Sequence, residues 1–106
     1  MKKYWAEFLG TYILVFVGAG AIILNSFTEG TVSHFGVGLS FGLVVMAMIY
    51  AIGDISGAHI NPAVTIAFWV AKRFPANQVL QYISFQLLGA IFASATLYFL
   101  FPDTLT

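Results

Sequence analysis

The sequence predicts an all-α membrane protein with three transmembrane helices plus one re-entrant half-helix. Three observations predict it. Of 106 residues, 60% are hydrophobic and 8% charged, where a soluble domain carries about 25% charged residues; mean hydropathy is +0.94. Three apolar runs approach the roughly 20 residues that cross an about 30 Å hydrocarbon core. A fourth, residues 62–71, is about half as long and follows Ser56-Gly57-Ala58-His59-Ile60-Asn61, which does not read as regular helix. Irregular backbone at membrane depth is tolerated only where it is buried in protein or lines a cavity. That stretch therefore points to a pore or a binding site.

Taken in order, residues 4–24 read as the first span, with Tyr4 and Trp5 at the interface. Met1-Lys2-Lys3 ahead of an apolar run also fits a signal peptide with Ala19-Gly20-Ala21 as its cleavage site. Against that, residues 8–24 are long for such a core and Glu7 stands at the entrance. Asn25 to Ser33 is a polar loop holding Glu29 and Gly30, and residues 34–52 are the second span. In it Gly38 and Gly42 make a small-residue face suited to close helix packing. Gly53-Asp54-Ile55-Ser56-Gly57 is read as breaking that helix, so the re-entrant segment covers 53–71 with its half-helix at 62–71. Asn61 is a good N-cap, and Pro62 suits the first helical position, where a missing N–H costs nothing. Lys72-Arg73-Phe74-Pro75 is a basic turn, and residues 77–101 form the third span, with Pro102-Asp103 ending it.

All four basic residues lie at Lys2, Lys3, Lys72 and Arg73. Three spans plus a segment that enters and leaves on one side put both clusters on one face, which the positive-inside rule makes cytoplasmic. The N-terminus is then cytoplasmic and the C-terminus outside, in a cell or inner membrane. The net charge is zero and no basic stripe suits nucleic acid. Without cysteine there is no disulfide, thiol nucleophile or thiolate metal site. The carboxylates are scattered at helix ends, with no serine–base pair, phosphate loop or metal spacing, so the reading is not an enzyme and calls for no cofactor or metal.

Asn61 is the strongest functional candidate. As N-cap its side-chain oxygen accepts from its own helix, which aims its amide NH₂ ahead, where the helix N-terminus adds partial positive charge. Oriented donors in positive potential suit a neutral polar solute such as water and repel cations and protons. A plain N-cap in a packed turn is the competing reading. The carbonyls of Gly57, Ala58, His59 and Ile60, if extended, form a ladder of acceptors along a wet cavity. Glu7 is read as accepting from backbone N–H groups of the re-entrant segment, with a solvated interfacial carboxylate as the alternative. Gln86 hydrogen-bonds another helix or that same segment, His34 is an interfacial loop residue, and His59 faces the cavity mouth.

Ser56–Thr65 of this sequence resembles the signature of the aquaporin and glycerol-facilitator (major intrinsic protein) family. Ala6-Glu7-Phe8-Leu9-Gly10-Thr11 resembles its first-helix motif, and Gln86-Leu87-Leu88-Gly89-Ala90 its third-helix motif. Order and spacing agree over essentially the whole chain. The resemblance implies that Asn61 is the pore asparagine of the first Asn-Pro-Ala box and that Pro62 and Ala63 contact a second box. It implies that Gly57, Ala58 and His59 offer pore-lining carbonyls and that Glu7 braces the loop. Phe41, twenty residues before Asn61, aligns with an aromatic position of the narrow filter. Phenylalanine there resembles water-selective members, while Gly42 to Tyr50 and Gly57 to Thr65 also look like relatives passing glycerol or neutral metalloid acids.

Family members are built from two inverted repeats, and this sequence matches one. It lacks the second box and the filter residues of the second half. The expectation is half of a passive channel, from a split or truncated product or a fragment, needing a second aquaporin-like repeat. Self-association in antiparallel fashion requires insertion both ways round, which the one-sided Lys/Arg placement opposes. The resemblance also implies a tetramer of complete pores. The rivals are a non-conducting membrane subunit that binds a partner, and a secondary-transporter fragment coupled through Glu7.

Overall fold

The computed structural model describes residues 1–102. Four helices follow in order: α1 (Lys2–Phe27), α2 (Ser33–Ser56), α3 (Pro62–Val70) and α4 (Val79–Leu100), the last entered through a single 3₁₀ turn, Ala76–Gln78. No strand occurs among the described residues. Three segments, Lys2–Phe27, Ser33–Ser56 and Ala76–Leu100, are long and apolar enough to cross a membrane. Large apolar side chains such as Phe35, Tyr50, Leu80 and Phe99 lie on the outside, which is the arrangement lipid favours and water does not. The chain is thus an all-α membrane fold, with three spans and one helix of less than half their length.

Helix α1 is the centre of the bundle, with α4 on one side and α2 on another; α3 lies against α4. The α1–α4 contact is close because Gly89 has no side chain: a Cβ there would collide with the Phe8 carbonyl oxygen. Beside that contact Phe8 meets Phe92 edge-on at 5.5 Å, and the Tyr12 hydroxyl bonds Thr96 Oγ1 at 2.8 Å. Towards α2, Gly10 leaves room for Ile52 and Ile60, whose methyl groups would stand 2.7 and 2.6 Å from an added Cβ.

Helix α2 continues through Ser56, beyond the Ile52 at which the sequence reading ends it. A single glycine inside a helix costs only about 1 kcal/mol, so Gly53 does not break it. The stop is Gly57, left-handed at φ +88°, with its N–H on the Gly53 carbonyl. Gly38 and Gly42 are open: nothing stands within 4 Å of a Cβ built on either. They make no close helix contact among the described residues. Asp103, read as closing the last span, lies outside the described residues.

Both basic clusters lie at one end. Lys3 Nζ sits 5.7 Å over the Tyr4 ring, Tyr4 meets Tyr82 at 5.8 Å, and Tyr82 meets Phe74, the neighbour of Arg73, at 4.6 Å.

Candidate functional site

The segment between α2 and α3 runs backbone through conformations that few residues tolerate. After Gly57, Ala58 has φ +50° and Ile60 has φ +45°. A β-branched residue at positive φ is an outlier that persists only when its surroundings over-determine it. Here the surroundings are Glu7. Its carboxylate accepts from Ile60 N–H at 2.8 Å, His59 N–H at 3.1 Å, the Ser56 hydroxyl at 2.6 Å and the Gln86 amide at 2.7 Å. All these partners are donors and none is charged, so the carboxylate acts purely as an acceptor. Glu7 is 0% exposed; a carboxylate withdrawn from water is tolerable only with its oxygens hydrogen-bonded in this way. It is a sealed strut rather than a solvated interfacial group.

Around that strut the remaining polar groups close a network. Ser56 Oγ accepts from Ala58 N–H at 3.1 Å, and the Tyr82 hydroxyl donates to the Ser56 carbonyl at 2.7 Å. Gln86 Nε2 also donates to Thr65 Oγ1 at 3.0 Å, and Thr65 Oγ1 is 2.9 Å from His59 Nδ1. Every helix contributes: Glu7 from α1, Ser56 from α2, Thr65 from α3, and Tyr82 and Gln86 from α4. Two buried polar atoms have no partner among the described residues, Thr11 Oγ1 and Gln86 Oε1.

The other side of the same segment is open. Asn61, extended at φ −164°, accepts from Ala63 N–H at 2.8 Å and caps α3, with Pro62 at the first turn. Its amide NH₂ is thereby left at the N-terminus of a helix that reaches only about 14 Å. Gly57, Ala58, His59, Ile60 and Asn61 form one wall of a groove of about 380 Å³. The rest of its lining is apolar: Leu14 of α1, Val45 and Ile49 of α2, and Val64 and Phe68 of α3. Pro62 is half-buried and Ala63 exposed beside Asn61. An apolar lining with a few fixed polar groups is the usual build of a small-solute site.

Phe41 is not part of that wall. It is half-buried on α2, against Gly18, where a Cβ would overlap its ring. It stands one helical turn before Val45, about 6 Å along the axis. Three residues of the network have no role in the sequence reading: Ser56, Thr65 and Tyr82. A signal for Tyr82 existed, since it precedes Gln86 by one turn on the buried stripe Tyr82, Gln86, Gly89, Ala93 and Leu97.

Residues 1–105 match the family model Major intrinsic protein. The chain belongs to the major intrinsic protein family. It is 48% identical to Aquaporin NIP1-1 of Oryza sativa subsp. japonica over 101 residues, 95% of this chain and 36% of that protein. It is 50% identical to Aquaporin Z of Photorhabdus laumondii over 99 residues, 92% of this chain and 43% of that protein. Probable aquaporin NIP4-2 of Arabidopsis thaliana is 48% identical over 103 residues. The chain thus spans less than half the length of these major intrinsic proteins.

Proposed function

We propose that this chain supplies one half of a passive membrane pore for water or small neutral solutes. The observation that carries this reading is the groove itself, with a half-helix opening its capped N-terminus into it at Asn61. Solute moves in single file past the Asn61 amide and the carbonyls of Gly57, Ala58 and His59, driven only by its gradient. The positive end of α3 disfavours cations and protons there. Glu7 and Gln86 hold the segment in shape, Pro62 and Ala63 meet the facing half-helix, and Phe41 narrows the path beyond Val45. The groove is open rather than enclosed; a second aquaporin-like repeat, from the same or another chain, completes the pore, and complete pores assemble as tetramers. The clustering of Lys2 and Lys3 with Lys72 and Arg73 supports a cytoplasmic N-terminus and the C-terminus outside. Kinship with proteins named aquaporins supports water as the solute.

Glycerol or a neutral metalloid acid is the second reading, favoured by the apolar wall of Leu14, Val45 and Val64. The test is osmotic shrinkage of proteoliposomes by stopped flow, first with this chain alone and then with an added second-repeat chain. Shrinkage well above empty vesicles in either case, reduced by Asn61→Ala, is the expected result. No shrinkage in any combination leaves the non-conducting, partner-binding subunit as the better reading. Phe41→Ala is expected to raise glycerol flux relative to water; an unaltered ratio removes Phe41 from the path.

A further inference from the structure

We infer that Thr65 locks the His59 imidazole in its Nε2–H tautomer, so that the side chain of His59, and not only its carbonyl, presents a fixed hydrogen-bond donor on the groove wall. Glu7 Oε1 and Thr65 Oγ1 lie 2.7 and 3.0 Å from Gln86 Nε2. The carboxylate requires the nitrogen of Gln86, not its oxygen, on this side. Gln86 therefore donates one hydrogen to Glu7 and the other to Thr65. The hydroxyl hydrogen of Thr65 then needs an acceptor of its own.

Several serine and threonine hydroxyls elsewhere use the carbonyl one turn back, among them Ser40 on Gly36, Ser84 on Leu80 and Thr96 on Phe92. Thr65 makes no such bond; the carbonyl one turn back, that of Asn61, already takes the N–H groups of Val64 and Thr65. The remaining partner is His59 Nδ1, at 2.9 Å. Were Nδ1 protonated instead, Thr65 Oγ1 would accept twice and its own hydrogen would be left unpaired in a residue that is 0% exposed. The direction of donation is thus Gln86 to Thr65 to His59, and the ring hydrogen sits on Nε2.

The ring cannot easily turn away. Phe68 stacks on it at 5.0 Å and 19°, and Phe74 and Tyr82 pack against it at 4.9 and 5.1 Å. Nε2 is not among the buried unpartnered atoms. It lies beside Gly57, 3.4 Å from where a Cβ there would stand, and both residues line the groove. The donor takes an oxygen acceptor, a water or hydroxyl oxygen of a neutral solute. That last step rests on the pore reading; the tautomer does not.

The test is ¹⁵N-histidine NMR of the chain in a lipid bilayer at about pH 8, well above the ordinary imidazole pKa of about 6.5. The chain has two histidines, and the exposed His34 is the internal reference. The wild-type His59 is expected to be Nε2–H over Nδ1–H by roughly tenfold or more. Thr65→Val should erase that preference at His59 and leave His34 unchanged, and Thr65→Ser should restore it. A predominantly Nδ1–H ring in the wild type, or a preference that survives Thr65→Val intact, overturns the inference; should Thr65→Val not fold, the wild-type spectrum alone decides. An Nε2–H ring in a chain that conducts in no assembly takes down the pore reading and leaves the relay standing.

Discussion

On one face of the segment that joins α2 to α3, Glu7 is sealed from solvent and takes four hydrogen bonds, two of them from backbone N–H groups of the segment. On the other face Asn61 is exposed and its side chain accepts one hydrogen bond, from Ala63 N–H of its own helix, with its amide hydrogens unused among the described residues. One side has its hydrogen-bonding capacity filled and the other keeps some of it open. A polar group that must hold irregular backbone inside a membrane needs all its valences filled. One that exchanges partners with a passing solute, as the proposed pore requires of Asn61, needs some of them empty. The same five residues of backbone present both faces: with left-handed conformations at Gly57, Ala58 and Ile60, the N–H groups of His59 and Ile60 reach Glu7 of α1 while the segment lines the groove.

If that division is right, substitutions on the two faces separate stability from permeation. The largest expected effect is Glu7→Leu. It strands the donors of His59, Ile60, Ser56 and Gln86 at once, for a loss of at least about 3 kcal/mol, read as thermal or denaturant unfolding in detergent. Glu7→Gln, with half the acceptor capacity, should fall between. A Glu7→Leu chain as stable as the wild type would show that the strut is not what holds the segment.

Next comes Gly89→Ala. Its Cβ meets backbone of α1, which cannot rotate away, and overpacking of this kind costs about 1–3 kcal/mol. Helix separation, measured as a distance between probes on α1 and α4, should increase with it. An unchanged distance and stability would move the tight contact elsewhere.

Asn61→Ala removes a cap, for about 1 kcal/mol, yet is expected to cut flux in any conducting assembly by far more than that stability change accounts for. Equal and small effects on both would place Asn61 with Glu7 as a structural residue. The smallest effect sharpens the account of α2. Gly53→Ala finds only an ordinary contact, 3.9 Å from Ile49, within continuous helix, and should stabilise by about 0.5–1 kcal/mol. Destabilisation would mean that Gly53 has a use as glycine that the helix does not reveal.

Much of this architecture is local chemistry, and local chemistry is legible in sequence. Composition and run length determine the membrane class and the three spans, because a lipid-facing helix needs nothing but apolar residues for about 20 positions. Asn61 followed by Pro62 marks the start of α3 because capping acts within one turn. Where α2 stops is less legible: Gly53 and Gly57 look alike on paper, and only the chain path shows which of them is left-handed.

What tertiary structure alone decided is the partnership of Glu7. Its donors come from positions 49 to 79 residues away, and no periodicity relates them. The strained φ of Ile60, the hydroxyls of Ser56 and Thr65 and the ring of Tyr82 belong to the same category. So does Phe41, whose seat depends on the absence of a side chain at Gly18. The physical reason is common to all of them. Backbone that leaves the helix inside a membrane cannot satisfy its own hydrogen bonds, so its partners must come from other helices, and which helices these are is settled only when they pack.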